Sequence, residues 1–269
     1  MSGYPTVELQ MKSRAEYHEM IESPKMLDYG VYLDVAKLLD CQKPLAEMCN
    51  ADELQFQIVH QVEELWMKLM AYTLVDVMAY LDEGNTHRVV TLMGRVHRLM
   101  RLMTAQLDVL ETMSPREYQE IRLQLGNGSG QESPGFQTLL RMPNDLWSAY
   151  KATYLDGKGL TVAEVYDAKY DHGESYVVAE ALIEYDELFQ KFRAMHLYLI
   201  HRSIGLGSRS LKGRPVGLLE AGAKHRFFPE LWDVRCDMTD AWGASYGVVR
   251  EAIHDKPQKP AVAGGCPMG

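Results

Sequence analysis

Apolar residues recur every three to four positions over long stretches of the chain, which is the spacing of amphipathic α-helices. This pattern predicts long helices at residues 51–81, 86–113, 136–154 and 172–205. The apolar stripe of the second comprises Val89, Leu92, Met93, Val96, Leu99, Met100, Met103, Leu107 and Leu110. The stripe of the last comprises Val178, Leu182, Tyr185, Leu188, Phe189, Phe192, Met195, Leu199 and Ile200. With no convincing strand pair, repeat or linker, the sequence predicts an all-α, single-domain helical bundle.

Shorter signals complete this outline. A short helix is expected after a bend at Tyr29-Gly30, and Ser114-Pro115 is typical of a helix start. The glycine-rich residues 126–130 predict a loop, since glycine is costly inside a helix. The predicted divisions are an N-terminal arm, a helical domain and a disordered tail, at residues 1–25, 26–256 and 257–269.

Composition narrows the classes of partner. The formal charge is −9 and the pI is about 5.5, and the basic residues are scattered. Because binding to phosphates needs clustered Lys and Arg, we expect no nucleic-acid partner and favour a small molecule.

The cysteines and the hydropathy pattern bear on location. The four cysteines are few, widely separated and without a CxxC pair, which fits a reducing cytoplasm. No secretion signal and no long apolar run is visible, so we expect a cytoplasmic protein without membrane attachment.

Two histidines lie on predicted apolar helix faces. Phe56 precedes His60 by one turn, so the two side chains share a face, and His196 falls on the stripe of the last long helix. His201 lies about 140° further round the same helix axis than His196, so its side chain should point away from the face that carries His196. A histidine in this setting is either a core residue bonded to a carbonyl or a ligand in a cofactor pocket between helices, for example a heme ligand. Spacing alone leaves both interpretations open.

The segment DELQFQIVHQVEELWMK at residues 52–68 resembles the pattern DELLFIVVHQxxELWxK of the tryptophan 2,3-dioxygenase family, whose members are heme enzymes. Further blocks in the same order are similar to that family between about residues 29 and 232. They are LDYGVYLDVAKLLDCQKP, EYQEIR with SPGFQTLLR, FRAMHLYLIHRSIG and RFFPELWDVR.

The resemblance implies a role for several residues. His196 corresponds to the proximal ligand of a heme b iron, and His60 to the distal histidine facing the indole N–H. The residues matching substrate contacts are Tyr29, Phe56, Tyr118, Arg122 and Ser210. Among these, Arg122 matches the arginine that binds the substrate carboxylate, and Tyr29 matches a tyrosine delivered into a neighbouring subunit of a homotetramer with exchanged arms.

Two departures from the family pattern point to a divergent member. The loop after Arg122 is longer, and Pro134 stands where the family has serine. After His196, GSRSLKGRPVG replaces the family's KTGTGGSSG, so Leu211 and Lys212 replace glycines beside Ser210.

The resemblance therefore implies an O₂-dependent oxidation of the indole C2–C3 bond of tryptophan or a modified tryptophan, such as a β-methyl derivative. The altered segment at residues 207–217, here called the rewritten loop, favours single-oxygen insertion to a 2-oxindole, as in a natural-product pathway. The alternatives are ordinary dioxygenation to N-formylkynurenine, heme-dependent tyrosine hydroxylation, and a non-catalytic heme or tryptophan sensor.

Overall fold

The computed structural model describes residues 13–22, 27–126, 128–167, 169, 171–209, 211, 213, 222 and 224–243. Over these residues the chain is helical and contains no β-strand, which confirms the predicted all-α class. The helices are α1 (Arg14–Glu22), α2 (Asp28–Tyr32), α3 (Val35–Leu39), α4 (Asp52–Asp82), α5 (Thr86–Leu110), α6 (Pro115–Gln124), α7 (Pro134–Tyr150), α8 (Val162–Tyr166), α9 (Glu174–Ile204) and α10 (Pro229–Gly243). No helix in the described part of the chain is long and apolar enough to cross a membrane.

The chain forms two compact units, residues 1–58 and 59–269, and the boundary falls inside α4. The arm and tail boundaries predicted near residues 25 and 257 lie outside the described residues.

In the first unit, the helix predicted within residues 27–39 is two short helices. Gly30 lies inside α2, so the predicted bend at Tyr29-Gly30 is wrong. The break comes instead at Asp34, whose φ is 51°. Aspartate tolerates this left-handed conformation better than most residues because its short side chain can bond locally. The start of α4 is fixed by Glu53, which accepts hydrogen bonds from the Cys49 N–H at 2.6 Å and from Lys43 Nζ at 3.2 Å.

In the second unit, α5 packs along α9 and forms much of the core. Every residue of the predicted α5 stripe is buried, as are most of the α9 stripe. His97 is an additional buried residue of α5, and its Nε2 lies 2.9 Å from the carbonyl oxygen of Ala181 on α9. This bond and the Arg101–Glu184 ion pair fix α9 against α5.

Asp186 attaches α10 to α9. Its fully buried carboxylate accepts hydrogen bonds from the backbone N–H groups of Phe227 and Phe228, at 2.8 and 3.1 Å, and from Trp232 Nε1 at 2.8 Å. A buried charge is tolerated only when such donors replace water. The block RFFPELWDVR thus contains the start of α10, which Asp186 holds against α9.

Candidate functional site

A cavity of about 430 Å³ lies between α4, α7 and α9 of the second unit. Its size is within the range of ligand-binding pockets, roughly 300–1,000 Å³. The apolar part of its wall is formed by Met67, Phe136, Leu140, Phe192 and Leu197. The polar part is formed by His60, Glu63, Glu64, Gln131, Ser133, Arg193 and His196.

The two histidines singled out from the sequence line this same cavity, His60 from α4 and His196 from α9. Burial, together with the nearby His60, lowers the pKa of His196 to about 4. The residue is half-buried and lines the cavity. His196 is therefore a neutral imidazole at pH 7, with a nitrogen lone pair available to a metal. The Phe192 ring lies nearly parallel to it, with centroids 6.3 Å apart.

Glu64 joins α4 to the start of α7. It accepts hydrogen bonds from the Ser133 hydroxyl and, at 3.1 Å, from the Gly135 N–H. Ser133 is the N-cap of α7 and Pro134 its first residue. Proline at this position is therefore compatible with the helix start, and the inserted loop contributes Gln131 and Ser133 to the cavity.

Arg193 brings a cation to the cavity wall, one turn before His196. Its Nη1 donates to the carbonyl oxygens of Gly222 and His225, at 2.8 and 3.2 Å. Its guanidinium lies over the rings of Phe189 and Phe227, 4.7 and 5.3 Å from their centroids. These contacts hold the side chain in one orientation.

Arg122 and Tyr118 lie on α6 and are not among the described residues that line the cavity. Arg122 donates from Nη2 to the carbonyl oxygen of Arg209, in the rewritten loop that follows α9, and from Nη1 to Gln119 at 3.5 Å. These contacts use two of the five N–H donors of a guanidinium. Burial raises the pKa of Tyr118, and Arg122 opposes this shift.

The other predicted substrate contacts are placed as follows. Phe56 is half-buried on α4, four residues before His60. Tyr29 is on α2 in the first unit and is 76% exposed. Ser210 lies outside the described residues.

Four of the lining residues were not predicted from the sequence, namely Glu63, Glu64, Met67 and Arg193. A signal for the first three was present, since they follow His60 at the i+3, i+4 and i+7 positions of one helix face. Arg193 precedes His196 by three residues and shares its face for the same reason.

Comparison with known proteins supports the family suggested by the sequence. Residues 13–156 match the family model for tryptophan 2,3-dioxygenase. The tryptophan 2,3-dioxygenase of Serratia proteamaculans (strain 568) is 31% identical over 80% of this chain and 94% of its own length. The chain belongs to the tryptophan 2,3-dioxygenase family. The proteins of the same name from Rhodococcus jostii (strain RHA1) and Myxococcus xanthus (strain DK1622) are each 29% identical, over 86% and 78% of this chain and 99% and 89% of their own lengths.

Membership of the tryptophan 2,3-dioxygenase family makes this chain an enzyme of a heme-dependent oxidoreductase superfamily. His60, Tyr118 and Arg122 lie within the segment matched by the family model, whereas His196 lies beyond it. The match to the family model therefore says nothing about His196. That His196 lines the same cavity as His60 is an observation of the structure alone.

Proposed function

We propose that this chain uses heme b and O₂ to oxidise the indole C2–C3 bond of tryptophan or of a modified tryptophan. The observation that carries the proposal is the cavity lined by His60 and His196 from two different helices. A neutral imidazole on one wall and a second imidazole in the same cavity give the arrangement expected of a heme oxygenase site.

The cavity residues fit a heme. His196 would hold the iron, because it is neutral and lines the cavity. Phe136, Leu140, Phe192 and Leu197 offer apolar surface to a macrocycle, and Arg193 offers a cation to one of its carboxylates. When bound, heme supplies the iron chemistry through which O₂ oxidises an aromatic ring.

The chain's own residues would bind and orient the substrate. His60 would accept a hydrogen bond from the indole N–H, and Arg122 would bind the carboxylate with its remaining donors. Tyr118, Phe56 and Tyr29 would contribute aromatic contacts. These roles rest on the resemblance of the segments in which the residues lie.

The rewritten loop after α9 favours a modified substrate and a single-oxygen product. Arg122 donates to the carbonyl of Arg209, so the carboxylate-binding residue is attached to this loop. Leu211 replaces a glycine of the family pattern, and a side chain there changes how closely the loop backbone can approach a ligand. We propose a β-methyltryptophan-like substrate and a 2-oxindole product.

We further propose a cytoplasmic homotetramer with exchanged N-terminal arms. The first unit exposes large apolar side chains on and next to α2, which is typical of surfaces that bind another chain. They are Leu27, Tyr29, Val31 and Tyr32.

The proposal is tested by giving the heme-reconstituted protein tryptophan, β-methyltryptophan or tyrosine under ¹⁸O₂, with ascorbate present. Single insertion places one oxygen atom in the indole and releases the other as water, so two electrons and two protons come from ascorbate. We expect β-methyltryptophan to react faster than tryptophan and to gain one labelled atom. Two labelled atoms with kynurenine-type absorbance would establish ordinary dioxygenation, and reaction of tyrosine alone would establish a hydroxylase. No product from any of the three would indicate a sensor.

A further inference from the structure

The cavity between α4, α7 and α9 has an edge that is open to solvent. Of the described residues that line the cavity, Gly130, Gln131 and Gly222 are exposed, and the others are half-buried or buried. Arg193 reaches this edge, since its Nη1 donates to the carbonyl oxygen of Gly222 at 2.8 Å. Within the described part of the chain, the side-chain donors at the solvent edge are therefore the Gln131 amide and the Arg193 guanidinium.

Gln131 lies in the stretch between Arg122 and Pro134, which is longer here than in the family pattern. The resemblance to the family therefore assigns no role to this residue. Its place on the cavity wall is an observation of the structure.

Hydrogen bonds fix the backbone of the 3₁₀ turn Gly130–Glu132, which carries Gln131. The side chain of Ser129 and the side chain of Glu132 form a capping box at the start of the turn. The carbonyl oxygen of Gln131 accepts a hydrogen bond from Gln137 Nε2 on α7 at 3.2 Å. A side chain that extends from a fixed backbone has less freedom to lose when it binds a ligand.

The side-chain amide of Gln131 is available to a ligand. It has no hydrogen-bond partner among the residues that the structure describes, and the residue is exposed. The carboxylate of Glu64, which also lines the cavity, is already bonded to the Ser133 hydroxyl through one oxygen and to the Gly135 N–H through the other. The amide of Gln131 can thus donate two N–H groups to an acceptor in the cavity.

We propose that Gln131 donates a hydrogen bond to one carboxylate of the bound heme, while Arg193 pairs with the other. A heme whose iron is held by His196 has an apolar macrocycle that suits the walls formed by Phe136 and Leu140. Its two carboxylates are costly to bury without partners, so they belong at the solvent edge. Gln131 and Arg193 are the donors at that edge, and the 3₁₀ turn therefore helps to retain the cofactor.

This inference rests on the proposed function, because it assumes that heme occupies the cavity. It adds a residue that holds the cofactor and that lies outside the blocks similar to the family. Its test measures the retention of heme and requires no turnover, so the two proposals can fail separately.

The test is the rate at which heme leaves the protein for an excess of heme-free myoglobin, followed by absorbance. We expect Gln131→Ala to release heme about tenfold faster than wild type, since a hydrogen bond to a charged group is worth roughly that factor. Loss of heme dimethyl ester, whose carboxylates are uncharged, should change by about threefold or less, because a hydrogen bond to a neutral acceptor is weaker. Gln131→Glu should release heme faster still, because two carboxylates repel each other.

Gln124→Ala is the matched control, since Gln124 is an exposed glutamine at the end of α6 and is not among the described residues that line the cavity. This variant should release heme at the wild-type rate. The inference is overturned if Gln131→Ala releases heme at the wild-type rate. It is also overturned if the variant speeds the loss of heme and of its ester equally, since the turn would then act on the fold alone. A wild-type protein that takes up no heme would overturn the proposed function itself.

Discussion

His60 and His196 line one cavity but differ in what their surroundings allow. Burial keeps His196 neutral, which suits a metal ligand, whereas His60 lines the same cavity from α4. Arg122 stands apart on α6 and is bonded to the loop carbonyl of Arg209. The roles proposed for the three residues can therefore be tested separately.

Replacement of Arg122 and of His60 should have unequal effects. Loss of a bidentate carboxylate contact costs about 2–4 kcal/mol, whereas loss of one hydrogen bond to a neutral N–H costs about 1 kcal/mol. We therefore expect Arg122→Leu to raise the substrate dissociation constant far more than His60→Ser, measured by titration of the heme-loaded protein. Small and equal effects would show that another group binds the carboxylate.

Glu63 should make stability fall as pH rises. Its pKa is raised from 4.5 to about 7 in the folded protein, so between these values the unfolded chain ionises while the folded chain stays protonated. Wild type should therefore lose up to about 3 kcal/mol of unfolding free energy between pH 4.5 and 7.

Glu63→Gln should lack this loss, which is measured by comparing the two proteins in denaturant at pH 5 and pH 8. Glu187→Gln is the control, since Glu187 is an exposed partner of Lys191. A parallel pH dependence in wild type and Glu63→Gln would contradict the assignment.

The sequence could place His60 and His196 on apolar helix faces, because helical periodicity is local information. It could not show that both faces line one cavity, since that depends on how α4 and α9 pack. The burial of Glu63 could not be predicted for the same reason, since it depends on the position of Gln106 on another helix.

The helices α4 and α7 lie close together at Gly135. A Cβ added there would lie 2.7 Å from Met67 Cβ and 2.9 Å from Glu64 Oε2. Both neighbours line the cavity, so this glycine sets the separation of two of its walls.

We expect Gly135→Ala to lower the unfolding free energy by about 1–3 kcal/mol, the usual cost of overpacking. Gly94→Ala on α5 is the matched control, because a Cβ there meets nothing within 4 Å. It should raise stability by roughly 0.5–1 kcal/mol, as alanine is the better helix former. Chemical denaturation measures both changes, and a neutral Gly135→Ala would show that the helices can separate without cost.

Long elements were predictable and short ones were not. α5 and α9 follow their apolar stripes closely, and Ser114 caps α6 as expected. The π-helical turn Lys151–Leu155 ends the predicted helix early, and α8 was missed although Thr161 and Glu164 form a capping box. Five residues provide too little periodicity to outweigh tertiary contacts.

The exposed apolar residues on and next to α2 predict that the N-terminal arm contacts another subunit of the proposed tetramer. Removing residues 1–28 should weaken both tetramer formation, measured by light scattering, and substrate affinity. Tyr29→Ala should weaken assembly less than the truncation does, because Leu27, Val31 and Tyr32 remain, and should still weaken substrate affinity. A truncated protein that remains tetrameric and binds substrate normally would contradict arm exchange.

The heme content of His196→Ala shows whether His196 holds the heme iron. We predict that wild-type protein binds one b-type heme per chain, and that His196→Ala loses most of it together with all activity. His201→Ala is the control, since His201 is not among the described residues lining the cavity, and it should retain heme. A His196→Ala protein with full heme content and an unchanged five-coordinate ferrous spectrum would contradict the account.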